Sequence, residues 1–322
     1  MKRIVLIMTI AVLLLLPFMV FAGGGKEAAP AAAAAKKIKV AVSLPPANNA
    51  WQAKLLDSVL AETKKDADKF EFTVKNAVDD ADQLNMLQTF KSGGYDMIIT
   101  LPGNGTLMTP ICEEIFAAGI KSMILDRAIE SDKYNWFLAG DNYQCGVNAA
   151  KYLGDRLSGK GDIAILRSYV GIPIDLQRYN GFMDTLKKNY PGIKVLAEGD
   201  GEFNQQAGLK AMSNILPAYP KIDAIYTQDD EAAVGAITAI ESAKRTDIKF
   251  ITGYGGSVTA YKYLQEKHPL FGASMSYFPT MGADAIILAK KLLQGGTSPK
   301  DVILPTFVVT SANVAQYLSN AY

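Results

Sequence analysis

Few residues in this 322-residue chain are equipped for chemistry. There is one histidine, His268, in Lys267-His268-Pro269. Any imidazole acid–base or nucleophilic mechanism would run through it, yet its setting reads as a surface helix end. The two cysteines, Cys112 and Cys145, fall in separate helical patterns with no Cys-x-x-Cys. Their number permits one disulfide, but they read best as small buried apolar side chains. Two carboxylate pairs, Asp79-Asp80 and Asp229-Asp230, each open a helical pattern, where acidic and capping residues belong. Gly253-Tyr254-Gly255-Gly256-Ser257 lacks a full Gly-x-Gly-x-x-Gly, with Val258 at the last position, and reads as a tight turn. No Gly-x-Ser-x-Gly elbow occurs, and the triplet Asn104-Gly105-Thr106 fits a glycosylation acceptor only as a common chance match. These observations leave one pair set apart by its position. Asp126 and Arg127 follow the apolar run Met123-Ile124-Leu125. At the end of a buried parallel strand they are either a salt bridge or a ligand grip, because open α/β sheets bind ligands beyond the carboxyl ends of their strands.

The elements that would position such a pair alternate regularly. Ile38–Val42 alternates and reads as a strand; the Pro- and Asn-rich stretch 43–49 is a loop. Residues 51–67 carry Leu55, Leu56, Val59 and Leu60 on one helical face. A strand over 70–74 and a helix over 81–92, stopped by Gly93-Gly94, come next. Residues 96–101 form a strand and 102–105 a loop. A helix over 110–118 is stopped by Gly119, and the strand ending at Asp126 follows. After a short strand at 135–139, Gly140-Asp141-Asn142 marks a break. The pattern then begins again, with strands expected at 162–168, 193–197, 224–227, 248–252 and 272–277 and helices between them. A helix over 280–293 and a last strand or strand pair within 302–309 close it. Strict alternation of strand and helix signals parallel sheets with right-handed crossovers. The doubled pattern predicts an α/β protein of two similar doubly wound lobes, with strand ends facing a cleft between them.

The bulk numbers agree with an ordinary globular protein of about two domains. The chain is 49% hydrophobic and 20% charged, with 33 basic and 32 acidic side chains. No basic stripe is present, so nucleic acid is not an expected partner. At the N-terminus, Lys2-Arg3, an apolar run to Met19 and the small-x-Ala site Val20-Phe21-Ala22 read as a secretory signal peptide over residues 1–22. The same run, nearly long enough to span a bilayer, also reads as an uncleaved anchor. No cysteine lies near the junction, which argues against a lipid-modified terminus. Residues 23–37 read as an Ala- and Gly-rich flexible spacer. An exported two-lobed chain this poor in catalytic groups points to binding rather than to an enzyme, and no cofactor or metal is expected.

Several short motifs stand in a telling order: Ser43-Leu44-Pro45 with Asn48-Asn49-Ala50-Trp51, Leu125-Asp126-Arg127, Gly140-Asp141-Asn142 with Gly146, Arg178 with Gly181-Phe182, Gln228-Asp229-Asp230-Glu231 with Gly235-Ala236, and Phe278-Pro279 with Met281-Gly282. In this order the chain, from about Ile38 to Val309, resembles the periplasmic sugar-binding proteins of ABC importers, of the ribose- and galactose-binding type. The resemblance implies a periplasmic monomer that captures a sugar or sugar-like ligand and hands it to a membrane permease. Three strands would cross between lobes near Gly140, Tyr277 and 303–305. This assigns 38–140 with 278–304 to an N-terminal lobe and 141–277 with 305–322 to a C-terminal lobe. By the same resemblance Asn49 bonds the sugar and Trp51 and Phe203 sandwich its ring. Asp126 and Arg127 grip hydroxyls, Asp229 adds a polar contact, and Tyr277 stands where the ribose receptor has Gln. Leu176 and Gly255 stand where that receptor has Arg and Asp. Fewer polar contacts imply a ligand with fewer or differently placed hydroxyls: a deoxy or methylated sugar, a polyol or a nucleoside-like compound. Three other classes compete with this reading. A chemotaxis or sensor-kinase receptor is not separable by sequence. A lactose-repressor-type sensor would need an N-terminal helix-turn-helix where the leader stands. An exported enzyme would need catalytic groups that are scarce here.

Overall fold

The computed structural model describes residues 36–322; the expected leader and nearly all of the spacer lie outside the described residues. The chain runs β1 (Ile38–Leu44), α1 (Ala50–Thr63), β2 (Phe70–Asn76), α2 (Asp80–Ser92), β3 (Met97–Thr100), α3 (Gly105–Ala117), β4 (Lys121–Leu125) and β5 (Trp136–Gly140). It continues through α4 (Asn142–Arg156), β6 (Lys160–Arg167), α5 (Pro173–Asn189), β7 (Gly192–Asp200), α6 (Gln205–Ile215), β8 (Ala224–Thr227), α7 (Asp230–Ser242) and β9 (Phe250–Gly255). Last come α8 (Val258–Gln265), β10 (Phe271–Ser276), α9 (Met281–Leu293), β11 (Asp301–Leu304) and β12 (Val308–Val309).

The strands form two six-stranded sheets, ordered β11-β5-β4-β3-β1-β2 and β12-β10-β9-β8-β6-β7. Every pairing is parallel except β10 with β12. Central strands are buried along their whole length, Met97–Thr100 and Ala224–Thr227 among them. That is why they read as unbroken apolar runs: helices cover both faces of a parallel sheet. The chain passes from the first sheet to the second between β5 and β6, back between β10 and β11, and over again between β11 and β12. One apolar cluster is continuous across these passages, from Val42 and Leu125 through Tyr277, Met281 and Cys145 to Ile165 and Phe250. Both cysteines are free and buried.

Most helices that follow a strand end start on a side-chain cap. Asn49, Asp79, Asn104, Asp141, Asn204, Asp229 and Ser257 each accept from the amide three residues on. The third helix corrects the expected boundary. It begins at Gly105, capped by Asn104, and carries Pro110 inside it. The Pro-Gly-Asn-Gly stretch that read as a loop thus holds the cap, and Pro110 in the second turn removes a single amide donor without ending the helix. The glycines at 253 and 255 also differ from expectation. They are the end of β9 and not a turn, since Gly253 has no Cβ and the Asp230 carboxylate occupies that space.

Two helix pairs in the second lobe approach through reciprocal glycines. A Cβ on Gly146 of α4 would collide with the Arg178 carbonyl of α5, and one on Gly181 of α5 with the Tyr143 carbonyl of α4. Gly208 of α6 and Gly235 of α7 meet the Ala232 and Gln205 carbonyls in the same way. Helix propensity alone says that Gly→Ala within a helix stabilises by about 0.5–1 kcal/mol. Here overpacking wins. Gly181→Ala is expected to destabilise by about 1–3 kcal/mol, read as a lowered urea midpoint at unchanged slope. A raised midpoint would show that the two helices have room to separate.

Candidate functional site

The carboxyl ends of both sheets face one cleft of about 590 Å³, counted out to bulk solvent. The structure places all seven residues singled out from the sequence on its wall: Asn49, Trp51, Asp126, Arg127, Phe203, Asp229 and Tyr277. Each arrives by a strand end or the segment just after it. Asn49 caps α1 after β1 and Trp51 stands in the first turn of that helix; Asp126 and Arg127 come from the end of β4, and Phe203 from the turn after β7. Asp229 follows β8, and Tyr277 follows β10.

Local roles constrain what each side chain offers. Asn49 already uses its carbonyl oxygen to cap α1, so its amide hydrogens are what remain for a ligand. The Trp51 indole N–H donates to the Tyr277 carbonyl at 2.8 Å, and the two rings lie 6.0 Å apart. Trp51 is thereby pinned to the passage between the sheets. Phe203 sits in the left-handed region at φ 54° and packs edge-on to Tyr169. Asp229 caps α7 through Oδ1, which accepts from the Ala232 amide at 3.0 Å.

Asp126 and Tyr277 belong to one chain of hydrogen bonds. The Tyr277 hydroxyl donates to Asp126 Oδ1 at 2.6 Å and accepts from Asn142 Nδ2 at 3.2 Å. Asn142 Oδ1 accepts from Arg178 Nε at 3.0 Å, and Arg178 Nη1 donates to the Gln228 carbonyl at 2.8 Å. The chain therefore runs from the end of β4 in one sheet to the end of β8 in the other. Burial first, and then the Asp126 carboxylate, hold the Tyr277 phenol well above its ordinary range, so it keeps the proton that it donates. Arg127 Nη1 donates to the Gly103 carbonyl at 3.2 Å, and its Nε lies 3.8 Å from Asp126 Oδ2. One Asp126 oxygen is thus committed to Tyr277, while the other stands beside a cation. Gly140 is a glycine because the Tyr277 ring fills the space of its Cβ.

Among the wall residues outside the sequence reading of the site, three matter most. Arg178 is buried and its guanidinium lies over the rings of Tyr254 and Tyr277, at 4.5 and 4.9 Å. It appeared in the sequence only as a motif residue. Ile174, one helical turn earlier, joins it on the wall. The period of α5 would have paired these two, but only if the face turned to the cleft were known. Leu176, expected at the ligand position of α5, is instead exposed and absent from the wall; it lies between those two positions on a different face. Tyr322 is the third, and no local pattern announced it. His268 lies elsewhere. Its ring stacks on Tyr263 at 4.5 Å, and Nε2 stands 3.3 Å from the Glu241 carboxylate. No group of three or more His, Cys, Asp or Glu able to hold a metal occurs among the described residues.

Two buried carboxyls beside the cleft are displaced from their ordinary range. Burial, then the charges of Asp230 and Glu231, raise Asp229 to about 7 against the hydrogen bond from the Ala232 amide. Burial raises Asp230 to about 6, against the donors Gly256 N, Ser257 N and Ser274 Oγ on its Oδ2. An aspartate titrates near 3.9 in the unfolded chain. A folded pKa above that value adds stability that is complete below about pH 4 and is lost as pH rises through about 6 and 7. The unfolding midpoint of the ligand-free protein is therefore expected to fall between about pH 4 and pH 7. The double substitution Asp229→Asn, Asp230→Asn is expected to flatten that slope. A wild-type midpoint that does not fall over this window would contradict the assignment.

A family model for the periplasmic binding protein domain matches residues 40–297. The chain belongs to the periplasmic binding protein family. This periplasmic binding protein is 25% identical over 271 residues to the ribose import binding protein of Bacillus subtilis (strain 168), covering 82% of this chain and 86% of that one. It superposes at TM-score 0.80 and 25% identity on an ABC transporter solute binding protein from Bacillus halodurans C-125, solved with bound myo-inositol, over 88% of this chain and 98% of that one. It also superposes at TM-score 0.78 and 28% identity on the fructose binding periplasmic domain of a hybrid two component system, over 88% and 93% of the two chains. The family consists of extracytoplasmic solute-binding proteins. No described helix of this member is long and apolar enough to cross a membrane.

Proposed function

We propose that this periplasmic binding protein captures a sugar or sugar-like ligand in the cleft between its lobes and delivers it to the permease of an ABC importer, without chemical turnover. The observation that carries this reading is the cleft wall itself. Trp51 and Phe203 offer aromatic faces to the apolar C–H face of a sugar ring. Asp126 and Arg127, with Arg178 opposite, offer ionised partners to its hydroxyl rim. Charge-assisted bonds of that kind are about twice as strong as neutral ones. Asn49, Asp229 and Tyr277 complete the proposed contact set. Residues 38–140 with 278–304 form the lobe that carries Asp126, and 141–277 with 305–322 the lobe that carries Arg178. Closure of the two about Gly140, Tyr277 and Pro305 follows because a ligand touching both walls favours the closed population. Export by the leader brings the protein outside the cytoplasm.

The ligand carries fewer hydroxyls than ribose presents, or places them differently. Tyr277 takes one oxygen of Asp126, and Gly255 offers no side chain. An unmatched buried hydroxyl costs about 1–3 kcal/mol, so tight binding of plain ribose would overturn this part. A second reading, a receptor that feeds a sensor kinase, is favoured by the likeness to the fructose binding domain of a two component system; signalling without uptake in a permease-deficient cell would select it.

A thermal-shift screen of the chain from Gly23 onward, against pentoses, hexoses, deoxysugars, polyols and nucleosides, tests the main reading. A ligand at a hundred times its dissociation constant adds about 2.7 kcal/mol, which raises the midpoint by several degrees. A shift with one sugar or polyol class is the expected result. A shift with nucleosides alone would remove the sugar assignment, and turnover of the bound compound would remove the non-enzymatic one.

A further inference from the structure

The last residue of the sequence returns to the cleft. After β12 the chain passes through Tyr317, whose ring packs against Phe307 and Phe278 at 6.0 and 5.8 Å. It then runs along the second lobe to Tyr322. Main-chain bonds hold Tyr322 against the β9–α8 turn. The Val258 amide donates to its carbonyl at 2.8 Å, and its own amide donates to the Gly256 carbonyl at 3.3 Å. Its side chain reaches the cleft wall, where the phenol oxygen stands in the space that a Cβ on Gly255 would need. Gly255 itself adopts φ 114°, where a side chain is strained whatever the room. Position 255 and Tyr322 are therefore one unit: the strand end contributes no side chain, and a tyrosine from 67 positions further along the chain fills the volume.

We propose that Tyr322 is a specificity-determining residue of the cleft, its ring capping the β9 end so that the site accepts smaller ligands and rejects homologues extended toward Gly255. This rests on the sugar-binding reading of the same cleft. The ring presents a neutral edge beside Asp229, Asp230 and Glu231, since burial and those three carboxyls hold its phenol well above the ordinary range. An extra hydroxymethyl group directed there meets the volume already filled by the phenol, which without Tyr322 would stand open beside Gly255. One added methylene in a filled pocket changes affinity by about 10- to 200-fold.

The test measures dissociation constants by calorimetry for matched pairs: D-xylose against D-glucose, L-arabinose against D-galactose, D-ribose against D-allose, and xylitol against sorbitol. Wild type, Tyr322→Ala and Tyr322→Phe are compared, with unfolding midpoints taken for each. The main-chain bonds of residue 322 survive both substitutions. Tyr322→Ala is expected to move the ratio for the best-bound pair by at least about 10-fold toward the larger member, and Tyr322→Phe, which keeps the ring, to hold it within about threefold. Equal weakening of both members by Tyr322→Ala, an unmoved ratio, or Phe behaving as Ala would each overturn the proposal while leaving the sugar-binding reading intact. Wild type binding none of the eight compounds would overturn the proposal, while the sugar-binding reading stands or falls on the wider thermal-shift screen.

Discussion

Asp126→Asn is expected to weaken ligand binding by roughly 10- to 100-fold and to leave the unfolding midpoint nearly unchanged. The two halves of this outcome have separate causes. The backbone at 126 lies in the left-handed region at φ 63°, which asparagine tolerates as well as aspartate does. The amide oxygen of asparagine can still accept from the Tyr277 hydroxyl, so the hydrogen-bonded chain between the sheets persists. What disappears is the charge on the oxygen that faces the ligand. Hydrogen bonds to an ionised group contribute about 1.5–3 kcal/mol each, and each 1.4 kcal/mol is about tenfold in affinity. Calorimetric titration together with a melting curve separates the effects. Unchanged affinity would show that the ligand does not touch Asp126. A collapsed midpoint would show that the carboxylate serves the fold first.

Arg178→Met is expected to damage both stability and binding. The guanidinium bonds Asn142 Oδ1 and the Gln228 carbonyl and lies over two tyrosine rings. It has no carboxylate within ion-pair distance among the described residues. Methionine fills much of the volume and satisfies neither acceptor. Two orphaned buried acceptors cost about 1–3 kcal/mol each, and the lost cation–π contacts add up to about 2 kcal/mol. Relief from burying an unpaired cation offsets part of this. A net loss of about 2 kcal/mol lowers the midpoint by roughly 3 °C in a chain of this size. Ligand affinity is expected to fall by at least about 10-fold as well, since the cation faces the cleft. A melting midpoint that rises would mean that the burial cost outweighs the bonds.

Legibility in the sequence follows physical locality. The strand at Ala224–Thr227 was readable to the residue because a doubly covered parallel strand is a plain apolar run between polar neighbours. Asn49, Asp126 and Asp229 were readable because strand ends in this fold converge on one place, so a polar residue just past an apolar run has a predictable address. The third helix was misplaced because a proline in its second turn hid a start made by Asn104. Leu176 was misplaced because a position matched along the sequence does not state which helix face turns inward; Ile174 and Arg178 hold that face. Tyr322 could not be found by any local pattern. Its place is set by the path of the segment after β12 and by two main-chain bonds to a distant turn, and neither leaves a period or spacing in the sequence.

Trp51 offers the most direct measurement. The chain has two tryptophans, Trp51 on the cleft wall and Trp136 in β5. In a Trp136→Phe variant the tryptophan emission comes from Trp51 alone. Capture of a sugar or polyol in the cleft predicts a saturable change in that emission, with the same dissociation constant as calorimetry, and its weakening by Asp126→Asn in the same variant. Calorimetric binding with flat Trp51 emission would place the ligand elsewhere and contradict capture between the lobes.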